Sequence, residues 1–210
     1  MVASRQRLEF TIEWLRCRGL SGVRVVEIGL GPIGICCSLL GAVVDAWDVR
    51  TLWRPLGAVH NVRFSHADLS DPTWEPPVRA AYDYVLFPEV IEHVPVAPSC
   101  LLRNIARAMK PGGVMLLTTP NLLRLSNRIR MLAGRRLFSE FTPEALQIGH
   151  VREYTLDEVR TFFQRAGYYI AEARLVNWDL GDYASLIKPL LRFFPRLANF
   201  IWIVAAAPTQ

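Results

Sequence analysis

The chain has 210 residues, of which 51% are hydrophobic and 20% charged, a composition typical of one globular domain with a sizeable core. Its net charge of +5 reflects either an arginine-rich background or an anionic partner, such as a nucleic acid or a membrane surface. The four cysteines lack metal or disulfide spacing, no apolar run reaches the roughly 20 residues of a membrane span, and no signal peptide is recognisable. Together these features predict a cytoplasmic protein.

The N-terminal elements lead into a glycine turn. Residues 5–18 place Leu8, Ile12 and Leu15 on one helical face, which predicts a lid or a helix that packs beside the sheet. A buried strand, a glycine turn and a helix are then predicted for residues 25–34 (VVEIGLGPIG). Glycine lets a ligand approach bare backbone, and the next helix presents free N–H groups and a positive dipole end. This arrangement is typical of nucleotide sites.

The second predicted strand ends in an acid about 20 residues after the glycine turn. Asp48 ends this strand and follows Gly29 by 19 residues. A carboxylate about 20 residues beyond the glycines is placed to accept hydrogen bonds from ribose hydroxyls, so an adenosine cofactor in an open parallel sheet is predicted. Gly29, Gly31 and Gly34 also fit the dinucleotide spacing G-x-G-x-x-G. Glu27, however, would repel a pyrophosphate and favours a ligand with ammonium and sulfonium groups.

Candidate ligand contacts also follow the third and fourth predicted strands. Asp68 and Leu69 come directly after the third strand, although Asp68 alone would also suit a helix cap. The fourth strand, residues 81–87, ends at Phe87 and leads to Glu89. Because ligands of doubly wound sheets bind at the carboxyl ends of the strands, this end is predicted to lie over the reactive group of the cofactor.

The run Glu89-Val-Ile-Glu92-His93 contains the candidates for catalysis. Side chains at i, i+3 and i+4 converge on a helical turn, and His150 is predicted to join them. Two carboxylates and two imidazoles suit Mg²⁺ or another divalent cation, which would lower the pKa of an acceptor hydroxyl. The alternative without metal leaves Glu89 at the cofactor or substrate, Glu92 exposed, His93 packed or acting as a general base, and His150 as a loop histidine.

Two basic amphipathic segments follow the fifth predicted strand, residues 114–119. Residues 122–149 are predicted to form a substrate-lid insertion, and residues 182–198 a second amphipathic segment within the domain. The apolar positions on one predicted helical face of the first segment are Leu122, Leu125, Ile129 and Leu132. The first segment would face solvent, a phosphate-bearing substrate or an anionic membrane. Strands are predicted for residues 168–176 and 200–206.

Taken together, these motifs resemble the class I S-adenosylmethionine-dependent methyltransferases. The resemblance covers residues 20–175 in the family's order and rests on Glu27-Ile-Gly-x-Gly31, Asp48, Asp68-Leu69, Asp83-Tyr-Val85, Glu89-Val-Ile-Glu92-His93 and Lys110-Pro-Gly-Gly113. It implies an α/β fold with a doubly wound, mostly parallel, seven-stranded Rossmann-like sheet, whose antiparallel last strand pairs with the sixth. It also implies S-adenosylmethionine as cofactor, held by Glu27, Gly29, Gly31, Asp48, Val49, Asp68, Leu69 and Phe87.

The Glu-x-x-Glu-His run is similar to that of ubiquinone-type O-methyltransferases and of small-RNA 2′-O-methyltransferases, both of which bind a divalent ion with it. It also occurs in small-molecule methyltransferases without a known metal. A single methyltransferase domain over residues 1–210 is therefore expected to methylate a small-molecule or lipid-like hydroxyl, with His93, Glu89 and His150 as catalytic residues. Peripheral contact with the anionic inner face of the membrane is part of this expectation.

Three alternatives remain at this stage. The first is an RNA 2′-O-methyltransferase that uses a divalent metal, although the chain lacks an aromatic-interleaved basic patch. The second is an inactive cofactor-binding partner or scaffold, suggested by Ile33 where many family members carry a third glycine. The third is a nicotinamide oxidoreductase, which the glycine spacing permits.

Overall fold

The computed structural model describes residues 5–138, 149–178, 180 and 184–208, and these residues form an α/β structure around one sheet. The strands are β1 (Arg24–Ile28), β2 (Val43–Asp48), β3 (Arg63–His66), β4 (Tyr82–Pro88), β5 (Met109–Pro120), β6 (Tyr169–Val176) and β7 (Phe200–Ala206). The helices are α1 (Arg5–Arg16), α2 (Pro32–Leu39), α3 (Arg54–Val59), α4 (Pro98–Ala106), α5 (Leu125–Leu132), α6 (Leu156–Arg165) and α7 (Ala184–Phe193).

The sheet has seven strands in the order β3-β2-β1-β4-β5-β7-β6. Neighbouring strands from β3 to β5 are parallel, whereas β7 is antiparallel to both β5 and β6. The predicted fold class, including the antiparallel last strand, is therefore confirmed. The strand order reverses between β1 and β4, so a crevice forms where the chains leave the carboxyl ends of these two strands.

Alternate residues of the central strands feed two cores, one on each face of the sheet. Val26 of β1 points into one core, and its neighbour Val25 points into the other. Helices α4 and α6 cover the first face, whereas α1 and α2 cover the second. Because both faces are covered, the central strands are near-continuous apolar runs, as the sequence shows for β1 and β4.

Helix α5 lies within the predicted lid insertion, but its apolar face does not pack on the domain. Ile129 and Leu132 are 56% and 89% exposed, whereas Asn127 is buried. Two of the apolar positions predicted to share one helical face, Ile129 and Leu132, therefore face away from the core in α5. The reason is a tertiary contact, because Asn127 Nδ2 donates to the buried carboxylate of Glu153 and turns the helix accordingly. Residues 139–148 of the insertion lie outside the described residues, and its role as a lid stays a prediction.

Across the described part of the chain, none of the helices has the length and apolar character needed to cross a membrane.

Candidate functional site

A cavity of about 530 Å³ opens at the carboxyl edge of the sheet, where β1, β2 and β4 end. Its lining includes Gly29, Asp48, Asp68, Leu69 and His93. A second cavity of about 170 Å³ adjoins it and shares Gly29, Asp48 and His93. Cavities of several hundred Å³ at a strand-order reversal are typical of small-molecule and cofactor sites. The fold thus brings together residues that the sequence spreads over the first half of the chain.

The turn after β1 requires glycine at its first position. Gly29 has φ +79°, and its N–H donates to the carbonyl of Trp47 at 2.8 Å. A Cβ on Gly29 would lie only 2.6 Å from Cγ2 of Val90. Both the left-handed backbone and the close approach therefore exclude larger residues. As a result, the backbone at Gly29 is exposed to the cavity without a side chain in the way.

Glu27 organises the rest of this turn from inside. Its carboxylate is buried and accepts the N–H groups of Gly31 (2.9 Å) and Gly34 (3.0 Å) through the same oxygen. Burial is the main cause that raises the pKa of Glu27 to about 7, and the neighbouring Asp48 adds to it, while the two N–H donors oppose the rise. Because its pKa is near 7, Glu27 would lose its proton when a cation binds in the second cavity, which Glu27 lines.

Asp48 ends β2 and Val49 follows it, and both lie near Gly29, as the sequence predicts. Asp48 is buried, accepts the backbone N–H of Arg50 at 2.9 Å and faces both cavities. Val49 is exposed and lines the larger cavity. The carboxylate of Asp48 can thus accept hydrogen bonds from a ligand beside Gly29, as a contact with ribose hydroxyls requires.

Asp68 and Leu69 form the far wall of the larger cavity. Asp68 accepts the N–H of Ser70 at 2.9 Å in a tight turn, and no helix begins in residues 67–73 of the described chain. The helix-cap alternative for Asp68 is therefore wrong. Leu69 is buried and offers an apolar surface next to an exposed carboxylate, a pair that suits the face and edge of a purine.

Phe87 is the one expected cofactor contact that the structure places elsewhere. Its side chain is fully buried in the core and lines neither cavity. The alternation of side chains along β4 explains this, because a residue inside the strand points into a face of the sheet rather than beyond its end. The next residues, from Pro88 to Val90, line the second cavity instead.

Glu89 leaves β4 in a strained conformation and is paired with the N-terminal helix. Its φ of +54° is in the left-handed region, which a non-glycine residue occupies at a cost of about 1–3 kcal/mol. The guanidinium of Arg7 lies 2.9 Å from its carboxylate, and both side chains are mostly buried. Burial raises the pKa of Glu89, and the charge of Arg7 opposes this rise. No sequence signal distinguishes Arg7 from the other arginines near it.

The helical turn expected for Glu89, Glu92 and His93 is shorter than predicted. Only Ile91–His93 forms a turn of 3-10 helix, and Glu89 precedes it with left-handed backbone. Glu92 is buried rather than exposed, so the metal-free expectation for this residue is wrong. Its Oε2 accepts from Thr119 Oγ1 at 2.9 Å, whereas Oε1 has no hydrogen-bond partner among the described residues. Burial, followed by the charge of Glu89, raises the pKa of Glu92 well above its usual value.

His93 and His150 meet across 57 residues of sequence. Their rings are 4.9 Å apart in an edge-to-face arrangement. His93 Nδ1 lies 2.9 Å from the carbonyl of Gly149, which assigns the proton to Nδ1 and leaves the lone pair on Nε2. Burial lowers the pKa of His93. Ligand atoms of Glu92, His93 and His150 all lie within 4.8 Å of one another, so these three side chains form one cluster.

A second carboxylate, which the sequence reasoning missed, holds His150. Glu153 is buried and lies 2.8 Å from His150 Nδ1, so the imidazole donates to it and keeps its Nε2 lone pair. Arg124 donates to both oxygens of Glu153, and Asn127 donates at 2.9 Å. These donors lower the pKa of Glu153 to about 2 despite its burial. The insertion helix is thereby tied to the histidine pair.

Comparison with known proteins agrees with this geometry. Residues 7–173 match a family described as methyltransferase domain. A ubiquinone biosynthesis O-methyltransferase of Burkholderia thailandensis is 25% identical over 174 residues, which cover 80% of this chain and 74% of that protein. A shorter match of 31% identity over 123 residues, 55% of this chain and 49% of the relative, is to the Xanthomonas euvesicatoria protein of the same name.

Solved structures show the same fold. An S-adenosylmethionine-dependent methyltransferase from Mesorhizobium loti superposes with a TM-score of 0.65 and 17% identity, over 95% of this chain and 99% of its own. The magnesium protoporphyrin IX methyltransferase of Synechocystis, solved with S-adenosylhomocysteine bound, superposes with a TM-score of 0.63 and 16% identity, over 96% of this chain and 82% of its own. The family match covers most of the described glycine, acid and histidine positions. The chain therefore belongs to the methyltransferase domain family and is a class I S-adenosylmethionine-dependent methyltransferase.

Proposed function

We propose that this enzyme methylates a hydroxyl oxygen of a small-molecule or lipid-like acceptor. The observation that carries the proposal is the cluster of Glu92, His93 and His150, which presents two imidazole lone pairs and a carboxylate oxygen beside the cofactor cavity. Such a cluster suits an acceptor whose proton must be removed or weakened before it attacks a methyl group. The similarity to O-methyltransferases of ubiquinone biosynthesis supports an oxygen acceptor.

The cofactor cavity fits an adenosine group in the orientation set by its acids. Asp48 would accept hydrogen bonds from the ribose hydroxyls, and Asp68 would accept from the adenine amino group while Leu69 covers the ring. Gly29 and Gly31 would leave the backbone bare where the ligand passes from the larger to the smaller cavity. When bound, the cofactor supplies the activated methyl carbon and its leaving group.

The smaller cavity suits the amino-acid end of the cofactor. Glu27, a carboxyl group with a pKa of about 7, and Arg7, a permanent cation, both line it. An ammonium group next to Glu27 would favour the ionised carboxylate, and a carboxylate would find the guanidinium of Arg7. The cavity thus offers complementary charges to both ends of a zwitterion.

His93 is the proposed general base in the absence of metal. Its Nδ1 proton is engaged by Gly149, so Nε2 can accept the proton of a hydroxyl in either cavity, both of which it lines. The lowered pKa keeps the imidazole neutral at physiological pH, as a base must be. Glu89 would contribute at the acceptor side, since it also lines both cavities.

The same residues fit a divalent cation. Glu92 Oε1 is buried without a hydrogen-bond partner in the described chain, and both histidines keep a lone pair on Nε2 because Nδ1 of each is hydrogen-bonded. Ligand atoms about 2.1 Å from one ion lie up to about 4 Å apart, so small side-chain rotations from the observed cluster suffice. Glu92, His93 and His150 would hold the ion, whereas Glu89, an expected ligand, is instead engaged with Arg7. The chemistry supplied by such an ion is a lowered pKa of the acceptor hydroxyl.

Isothermal titration with S-adenosylmethionine and S-adenosylhomocysteine tests the cofactor site. Asp48→Ala is expected to weaken binding at least tenfold, because it removes the ribose acceptor, whereas Asp71→Ala changes an exposed acid outside both cavities and serves as the control. Equal affinity of wild type and Asp48→Ala would contradict the assigned orientation.

Transfer of labelled methyl groups tests the acceptor and the metal. Phenols with and without an alkyl tail, and an RNA oligonucleotide, are offered with Mg²⁺ or with a chelator. Transfer to the tailed phenol that His93→Ala abolishes, and that the control His60→Ala retains, is expected. Dependence on Mg²⁺ that Glu92→Gln removes assigns the ion, and activity with the chelator assigns His93 as the base. Transfer to RNA alone would favour the 2′-O-methyltransferase alternative.

A further inference from the structure

Helix α5 and the end of α7 present large apolar side chains to solvent. Met131 and Leu132 of α5 are 62% and 89% exposed, and Phe193 at the end of α7 and the following Phe194 are 78% and 57% exposed. Ile129 adds a further 56% exposed side chain on α5. Exposed apolar residues of this size in two segments that leave the sheet at the same edge indicate an interaction surface rather than scattered surface hydrophobics.

Cations surround these apolar side chains, and acids are missing from both stretches of sequence. Arginines 128, 130 and 135 and residues Lys188, Arg192 and Arg196 are all exposed, and neither residues 121–138 nor residues 184–208 contain an aspartate or glutamate. We call residues 128–136 and 188–196 together the basic rim. Interleaved cations and apolar side chains without acids are typical of segments that lie on an anionic membrane surface.

The two parts of the basic rim are joined at the edge of the sheet that carries the active site. Asn121 at the start of the first segment donates to the carbonyls of Arg196 (3.1 Å) and Ala198 (2.7 Å). Pro120 at the end of β5 pairs with Phe200 at the start of the antiparallel β7, so both segments leave the sheet at the same edge. This is the edge at which β1, β2 and β4 end beside the cofactor cavity.

We infer that the basic rim docks the enzyme on the surface of an anionic phospholipid bilayer, with the mouth of the active site toward the lipid. The charge of the rim complements anionic headgroups, and the aliphatic tips of α5 suit the boundary between headgroups and acyl chains. An RNA-binding surface would offer aromatic side chains for base stacking along its cations, whereas the exposed apolar side chains of α5 are aliphatic and the exposed aromatics of the rim are the adjacent Phe193 and Phe194 at its other end. Docking in this way gives a lipid-like acceptor a short path from the bilayer to His93.

Vesicle co-sedimentation tests the inference directly. Wild type is expected to bind phosphatidylcholine vesicles that contain roughly a third phosphatidylglycerol, and to bind pure phosphatidylcholine at least tenfold more weakly. Leu132→Ser/Phe193→Ser is expected to lower binding roughly tenfold or more, because two side chains lose their burial in lipid. Arg130→Gln/Arg135→Gln is expected to lower it by a similar factor and to weaken its salt dependence.

Matched controls lie away from the rim. Leu39 is 67% exposed at the far end of α2, so Leu39→Ser removes comparable apolar surface at the opposite edge of the sheet. Arg160→Gln/Arg165→Gln removes two exposed charges from α6. Both controls are expected to keep vesicle binding within twofold of wild type. Loss of binding in the controls equal to that in the rim variants would overturn the inference, because generic charge or hydrophobicity would then explain it.

Two further outcomes would also overturn it. The first is wild-type protein that ignores anionic vesicles. The second is binding of single-stranded RNA that Arg130→Gln/Arg135→Gln abolishes while vesicle binding stays absent, which would make the rim a nucleic-acid surface. Titration with S-adenosylmethionine on the same variants is expected to give unchanged affinity. Failure of membrane docking is thereby distinguishable from failure of the proposed cofactor site.

Discussion

Replacement of Glu153 by glutamine is expected to destabilise the protein in a pH-dependent way. The carboxylate is 1% exposed and accepts from Arg124, Asn127 and His150. Glu153→Gln keeps the shape but removes the charge, and it turns one acceptor into a donor that faces other donors. Arg124, whose side chain is 20% exposed, is then left without its anion.

The magnitude follows from the pKa of Glu153. Its fall from 4.5 to about 2 corresponds to about 3 kcal/mol of stability at neutral pH, at about 1.4 kcal/mol for each pKa unit. Because solvent reaches Arg124 and screens the pair, we expect about 2 kcal/mol. A depressed pKa stabilises the folded state above pH 4.5, and this contribution is lost as the pH falls toward 2.

Urea unfolding of wild type and Glu153→Gln at pH 7 and pH 3 measures this effect. The difference in free energy of unfolding is expected to narrow from about 2 kcal/mol at pH 7 to about 1 kcal/mol at pH 3. Glu75→Gln is the control, because Glu75 also has two arginine partners but is 54% exposed, and its effect on stability is expected to be smaller than that of Glu153→Gln and similar at both pH values. A Glu153→Gln deficit that is equal at both pH values would refute the electrostatic explanation.

Three further changes have defined outcomes. Gly34→Ala is expected to lower the Tm by several degrees and to weaken S-adenosylmethionine binding, because the new Cβ would lie 2.6 Å from Glu27 Oε2. Gly31→Ala is the control in the same thermal scans, because its Cβ would meet only ordinary van der Waals contacts, and its Tm is expected to equal that of wild type. The affinity for S-adenosylmethionine is expected to rise from pH 6 to pH 8, because the cationic ligand lowers the pKa of Glu27 from about 7 and so binds with release of a proton. Titration calorimetry in buffers of different ionisation enthalpy measures this release, and binding without proton release would contradict the role of Glu27. Arg7→Met is expected to lower the free energy of unfolding by about 1–3 kcal/mol more in the wild-type background than in the Glu89→Gln background. Equal effects of Arg7→Met in the two backgrounds would refute a stabilising interaction between these side chains.

The positions of the strands along the chain and of the cofactor turn were predictable from local pattern, whereas the mostly parallel sheet with its antiparallel last strand was implied by the family resemblance. Apolar runs marked β1, β2 and β4, and glycines marked the turn after β1, where Gly29 has left-handed backbone. Parallel strands joined by right-handed crossovers bring their carboxyl ends to one edge, so Asp48, Asp68 and His93 necessarily approach one another. These features depend on residues close together in sequence and on rules of topology that hold for any such chain.

The supporting contacts of the site were decided only by the tertiary structure. The pairing of Arg7 with Glu89 and the bracing of His150 by Glu153 and Arg124 join side chains from separate elements. The sequence alone does not distinguish these charged residues from others that remain in solvent. Burial separates them, because a charge that loses water must find a partner of opposite sign, and only the packed chain determines which partner is within reach.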